Sequence, residues 1–145
     1  MLNKGNAARH TEQNLAKLLD ICSRPGRVLV LMQDHPDPDA LASAKALRKI
    51  VTVRLGKRPI IAYGGSCGRA ENRVMMNVLR IGARRISPGE LEHYGTICLV
   101  DTQPRSGNNI LFASRIPEAV IDHHNLPRRH PWTAQGRREA LRFAC

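Results

Sequence analysis

Eight acidic or imidazole side chains fall in three short clusters: Asp34, His35, Asp37 and Asp39, then Asp101 alone, then Asp122, His123 and His124. Each cluster follows directly on an apolar run of strand-like length. Carboxylates brought together in a low-dielectric crevice repel one another and lose their hydration unless something positive neutralises them. A set of Asp and His residues is suited to divalent ions such as Mn²⁺, Mg²⁺ or Zn²⁺ rather than to a soft, thiophilic metal. Metal-assisted chemistry is therefore the first expectation. Taken singly, each cluster has a plainer reading: Asp37-Pro38-Asp39 as a solvated turn, Asp101-Thr102 as a helix cap or turn, and His123-His124 as a packed histidine beside an exposed one. Their recurrence at strand ends favours the metal. His10, His93 and His130 have no such setting and read as surface residues.

The elements that must position these clusters are legible as hydrophobic patterns. RVLVLMQ (27–33), RPIIAY (58–63), TICLVD (96–101) and EAVID (118–122) are short apolar runs of the kind found in buried parallel strands. Between the first two lies a helix in which Ala40, Ala44, Leu47 and Val51 share one face, with Lys45, Arg48 and Lys49 on the wet side. A second amphipathic helix is expected over 70–81, offering Val74, Val78, Leu79 and Ile81 for burial. An N-terminal helix over 11–21 carries Leu15, Leu18 and Leu19, with Thr11 as its N-cap. Strands alternating with helices predict an α/β fold with a mainly parallel sheet flanked by helices, in which residues just past the carboxyl ends of the strands converge on one crevice. The expected organisation is an N-terminal helix and linker (1–26), the α/β domain (27–127) and a basic tail (128–145) without a strand.

Bulk properties narrow the class. The 145 residues suffice for one core, and 42% hydrophobic residues exclude a disordered chain. Only 3% are aromatic, which leaves few rings for stacking nucleobases. The net charge of +11 attracts polyanions without choosing among them. The four cysteines stand far apart with no C-x-x-C pair, which argues against a zinc ribbon or a disulfide scaffold. No signal-peptide pattern and no membrane-length apolar stretch is present, so the expected compartment is the cytoplasm and no membrane partner is expected.

In combination, the motifs resemble those of the DHH phosphoesterase superfamily. IDHH (121–124) is similar to the motif that names it, PDPDALASA (36–44) to its first motif and LVDTQP (99–104) to its second, while SGNN (106–109) and ENR (71–73) resemble one branch; the superfamily includes nanoRNases, RecJ-like single-strand exonucleases, cyclic-dinucleotide phosphodiesterases and manganese-dependent pyrophosphatases. The resemblance covers residues 27–125 and implies a Rossmann-like DHH domain with two divalent metal ions, Mn²⁺ foremost. Under it, Asp37 and Asp39 each bind one metal, Asp101 bridges the two, and His123 joins the second site. His124 acts near the phosphate as an electrophilic or proton-handling group, and Asp122 orients the histidines. The implied substrate is a phosphate ester of a short oligonucleotide or small nucleotide; an oligomer is compatible with the resemblance.

The sequence departs from the family pattern in three places. Gln33 stands where many relatives have a metal-binding His, and His35 is the candidate substitute. The loop SCGRA (66–70) lacks the Ser-His expected before ENR. The further metal-binding Asp and the C-terminal substrate domain are expected to be absent, and 128–145 reads as an atypical or truncated end. These departures leave two alternatives to a weak or inactive enzyme: a non-catalytic nucleotide or nucleic-acid binding module, and a non-functional fragment.

Overall fold

The computed structural model describes residues 4–112, 114–124 and 141–143. Its centre is strand β1 (Val28–Leu31), every residue of which is buried. Alternate residues face opposite sides of a pleated strand. Val28 and Val30 therefore pack with the helical layer that supplies Leu18, Leu41, Leu47 and Val51, while Leu29 and Leu31 pack on the other face with Leu91, Tyr94 and Leu111. Being apolar on both faces is what makes β1 a central strand.

Helix α2 (Pro38–Leu55) follows β1, with Asp37 as its N-cap, Pro38 in its first turn and Gly56 as its left-handed C-cap. Gly56 adopts φ 67° and donates its N–H to the Thr52 carbonyl, a conformation that costs glycine little. Ala40, Ala44, Leu47 and Val51 are buried as expected, joined by Leu41. Strand β2 (Ile60–Tyr63), helix α3 (Ala70–Val78) and the short strand β3 (Arg84–Arg85) complete one wing. A 3₁₀ turn (Pro88–His93) leads to strand β4 (Thr96–Val100), then to β5 (Ala119–Ile121) and β6 (Leu141–Phe143).

The sheet has six strands in the order β3-β2-β1-β4-β5-β6, and every pair is parallel. The chain builds outwards from β1 in one direction, then restarts at β4 and builds outwards in the other. β1 and β4 thus flank the switch point of a doubly wound sheet, where the loops leaving the strands diverge and open a crevice. Register aligns the exits: Leu31 pairs with Leu99, and Val100 with Ile121.

Four expectations need correction. The N-terminal helix α1 runs from Lys4 to Ser23, so Thr11 lies inside it rather than capping it. No proline interrupts residues 4–11, and the alanines there favour continuation. Through Leu18, Ile21 and Cys22, α1 also packs into the core of the sheet. Helix α3 stops at Val78 and presents a different face: Val74 and Val78 are 59% and 72% exposed, whereas Asn72 is buried. Asn72 donates from Nδ2 to the Pro36 carbonyl at 2.7 Å, and Met75 and Met76, three and four residues on, pack against the core, so this face rather than that of Val74 and Val78 is turned inward. Lys45 and Arg48, expected in solvent, are only partly exposed, since each donates to a carbonyl at the end of α3, Leu79 and Arg80 respectively. Finally, residues 141–143 of the basic tail form β6 and pair with β5. The apolar Leu141 and Phe143 flank Arg142 in a segment too short to stand out of an Arg-rich context. The remainder of the tail, with His130, lies outside the described residues, as does the expected boundary at 127.

Candidate metal centre at the sheet switch point

Asp101 is the first residue beyond β4, and its backbone is unusual. Its φ is +57°, in the left-handed region that costs most side chains energy, although Asp tolerates it better than most. The turn is pinned by the Asp101 N–H, which donates to the Ile121 carbonyl at 2.9 Å. Only 7% of Asp101 is exposed. Burial pushes its carboxyl above the ordinary range; nearby Asp37 and Asp39 add to the rise, and His124 and His123 oppose it.

Two imidazoles from the exit of β5 face this carboxylate. His123 Nε2 lies 3.3 Å from Asp101 Oδ1 and 3.7 Å from Asp39 Oδ2, and His124 Nδ1 lies 3.9 Å from Asp101 Oδ1. The two rings are 4.4 Å apart between centroids and tilted by 49°. Asp101, His123 and His124 each offer a ligand atom within 4.8 Å of the others, so together they could hold a metal ion. This compact group contains one carboxylate. An Asp with two imidazoles is a donor set that suits a borderline divalent cation.

Asp122 has a different task. It is buried, and burial alone would raise its carboxyl; hydrogen bonds from Gln103 and His124 reverse that and leave it below the ordinary range. His124 Nδ1 is 2.6 Å from Asp122 Oδ1, which makes the nitrogen a donor and raises the imidazole's affinity for a proton. The arrangement leaves Nε2 as the unprotonated nitrogen when the ring is neutral. Of the two histidines that Asp122 was expected to orient, the one it touches is His124.

The first cluster divides among several roles. Asp37 caps α2, its Oδ1 accepting the Ala40 N–H at 2.9 Å. Asp39, in the first turn of the same helix, is exposed and reaches His123. His35 turns elsewhere: its Nδ1 lies 3.0 Å from the Ser66 carbonyl, and it is not brought into the compact group. Asp34 Oδ1 is buried without a hydrogen-bond partner, tucked where a side chain on Gly64 would collide with it at 2.5 Å. A Cβ on Gly65 would approach the Asp34 carbonyl oxygen to 2.4 Å, so this turn requires glycine to sit against the β1 exit loop.

Beside the centre, a cavity of about 540 Å³ is lined by Gln33, His35, Asp37, Ser66, Arg69 and Asn72, among others. Asp37 also acts electrostatically on Asp101, so the cavity and the candidate metal centre meet at this side chain. Gln103 and Asn72 lie within LVDTQP and ENR, and Ser106 to Asn109 form SGNN, so the resemblance covers all of them, but it implies no role for any of these amides. The SGNN side chains close the loop after β4: Ser106 Oγ and Asn109 Nδ2 both donate to the Gln103 carbonyl.

Among the described residues, no helix is long and apolar enough to cross a membrane. No protein-family model matches the chain. A search of curated proteins finds similarity to the uncharacterized protein MJ1633 of Methanocaldococcus jannaschii, with 39% identity over 98 residues. The matched region is 68% of this chain, which spans only 20% of that relative's length.

Proposed function

We propose that the chain is a DHH-type phosphoesterase domain that hydrolyses phosphate esters of short oligonucleotides or small nucleotides with two divalent metal ions, Mn²⁺ in preference to Mg²⁺. The observation that carries this reading is the delivery of Asp37 and Asp39, Asp101, and His123 and His124 to one crevice by three neighbouring parallel strands. Asp101, His123 and His124 would hold one ion, and Asp37 and Asp39 would supply carboxylates for the other. Such a pair of ions supplies an activated water near neutral pH and charge neutralisation at the phosphoryl oxygens.

The chain's own residues do the rest. Asp122 fixes the His124 ring by accepting its Nδ1–H, which would leave Nε2 as the nitrogen offered to the ion. His123 Nε2 lies 3.3 Å from Asp101 and 3.7 Å from Asp39, where the three side chains would face the ion. The neighbouring cavity has the volume of a small-ligand site and takes the body of the substrate, with Arg69 as its cationic wall. The net charge of +11 favours anionic substrates, and a reducing cytoplasm is the compartment this reading assigns.

The test is Mn²⁺-dependent turnover of short oligoribonucleotides, cyclic dinucleotides and pyrophosphate, compared with Asp101→Ala. Turnover that requires Mn²⁺ and disappears in the variant supports the proposal. No turnover of any of the three at saturating Mn²⁺ sinks it for this chain. Nucleotide binding that survives Asp101→Ala and weakens steeply with salt would instead identify a binding module.

A further inference from the structure

We propose that Gln103 is a positioning residue that sets the orientation and tautomer of His124 through Asp122, and that the SGNN turn exists to hold Gln103 in place. Asp122 is buried, so both of its carboxylate oxygens need protein donors. Oδ1 takes the N–H of His124 Nδ1 at 2.6 Å, and Oδ2 takes an N–H of Gln103 Nε2, also at 2.6 Å. The same Nε2 lies 3.4 Å from the His124 carbonyl oxygen. An ionised carboxylate only accepts, so the direction of both short bonds is fixed: the Gln103 amide nitrogen, not its oxygen, faces Asp122, and His124 carries its proton on Nδ1.

The backbone of Gln103 is held just as firmly. Its carbonyl accepts from Ser106 Oγ at 2.8 Å and from Asn109 Nδ2 at 2.9 Å. Thr102 Oγ1 donates to Asn108 Oδ1 at 2.6 Å, and the Asn108 carbonyl accepts the Asp34 N–H at 2.7 Å, which ties the turn to the exit of β1. The chain of contacts therefore runs from the β1 exit through the SGNN turn to Gln103, Asp122 and His124. Without the Gln103 donor, Oδ2 loses its short bond in a buried place, Asp122 keeps only its bonds from the His124 ring and backbone N–H, and the carboxylate is free to rotate. His124 then loses its fixed partner, whereas the contact of His123 with Asp101 at 3.3 Å uses neither residue.

The inference rests on the proposed metal centre only for what His124 serves, and its first readout needs no metal. In metal-free wild-type protein at alkaline pH, two-bond ¹H–¹⁵N correlation spectra should show His124 as the Nδ1–H tautomer, and the Gln103 side-chain amide should exchange with solvent more slowly than that of Gln13. In Gln103→Met, which keeps the volume and removes the donor, His124 should populate both tautomers. By calorimetric titration, Mn²⁺ should bind about tenfold more weakly, the low end of the range for outer partners of metal ligands. Gln103→Glu, which sets an acceptor against Asp122, should weaken Mn²⁺ at least as much. An Nε2–H tautomer or a freely exchanging Gln103 amide in the wild type overturns the inference, even if neither variant folds. So does a folded Gln103→Met that keeps the wild-type tautomer. If wild-type protein binds no Mn²⁺ but shows the expected tautomer and its loss in Gln103→Met, the metal reading fails while the positioning role stands.

Discussion

Asp101→Asn separates the cost of the candidate centre from its use. In the metal-free protein Asp101 is nearly buried and has Asp37 and Asp39 as like-charged neighbours. Its carboxyl titrates above the ordinary value of 3.8, so the folded state binds more protons than the unfolded one between those two values. By linkage, stability falls as pH rises through that window and stays lower above it. Asn removes the charge and accepts the left-handed conformation at least as well as Asp. In EDTA near neutral pH the variant should therefore be as stable as the wild type or more so. Added Mn²⁺ should reverse the order. At a concentration 100 times the wild-type Kd, binding stabilises the wild type by about 2.7 kcal/mol. Losing a direct ligand should weaken the ion by at least the ~100-fold seen for outer partners, which leaves the variant about 0.4 kcal/mol at the same concentration. At about 4 °C per kcal/mol, the difference of ~2.3 kcal/mol is a gap of roughly 9 °C in the Mn²⁺-induced shift. Thermal unfolding with and without Mn²⁺ reads all of this. A variant that is less stable than wild type in EDTA and shows the same Mn²⁺ shift would refute both the electrostatics and the ligand assignment.

Two further predictions rest on single contacts. His124 is raised above its ordinary 6.5 chiefly by the hydrogen bond to Asp122, so its stabilisation is complete below 6.5 and is lost as pH rises through its folded value. Asp122→Asn should flatten that part of a metal-free stability profile measured by urea unfolding, and an unchanged profile would show that Asp122 does not set the imidazole. On α3, Asn72→Ala should cost about 1–3 kcal/mol because a buried carbonyl loses its donor, while Val78→Ser on the exposed face should stay within about 0.5 kcal/mol. The reverse ranking in denaturant melts would mean that the helix is rotated the other way.

What could be read from the sequence depended on how far each feature relies on partners. β1, β4 and β5 are buried on both faces or nearly so, and such strands announce themselves as unbroken apolar runs. α2 was legible because its buried stripe, Ala40 to Val51, is purely apolar. β3 is two exposed arginines paired with β2, their side chains bonding to the Gly64 carbonyl, Glu90 and Tyr94, and nothing in their residue type betrays a strand. α3 offers two apolar faces, and the buried one is that of Met75 and Met76 beside the Asn72 amide rather than that of Val74 and Val78. The same division holds at the centre. Acids and imidazoles at parallel strand ends must converge, so Asp101, His123 and Asp39 could be anticipated together. The turn of His35 towards Ser66 and the reach of Gln103 to Asp122 depend on how two loops close, and local sequence does not encode that.

The centre is best understood as a set of side chains denied the means to move apart. Asp37 is held by the α2 N-terminus through the Ala40 N–H, a favourable place for a carboxylate beside the positive end of a helix. Asp101 is held by a left-handed turn hydrogen-bonded to β5. Asp122 is held by two short hydrogen bonds in a buried site. Each restraint acts on a different strand exit and none needs the others, yet they bring Asp37, Asp39 and Asp101 close enough to raise the proton affinity of the most buried of them. Such repulsion, with a positive φ at the most buried carboxylate, is the arrangement that the proposed cation site would require. Under the proposed function a divalent cation would neutralise these carboxylates, with His123 and His124 as its neutral ligands.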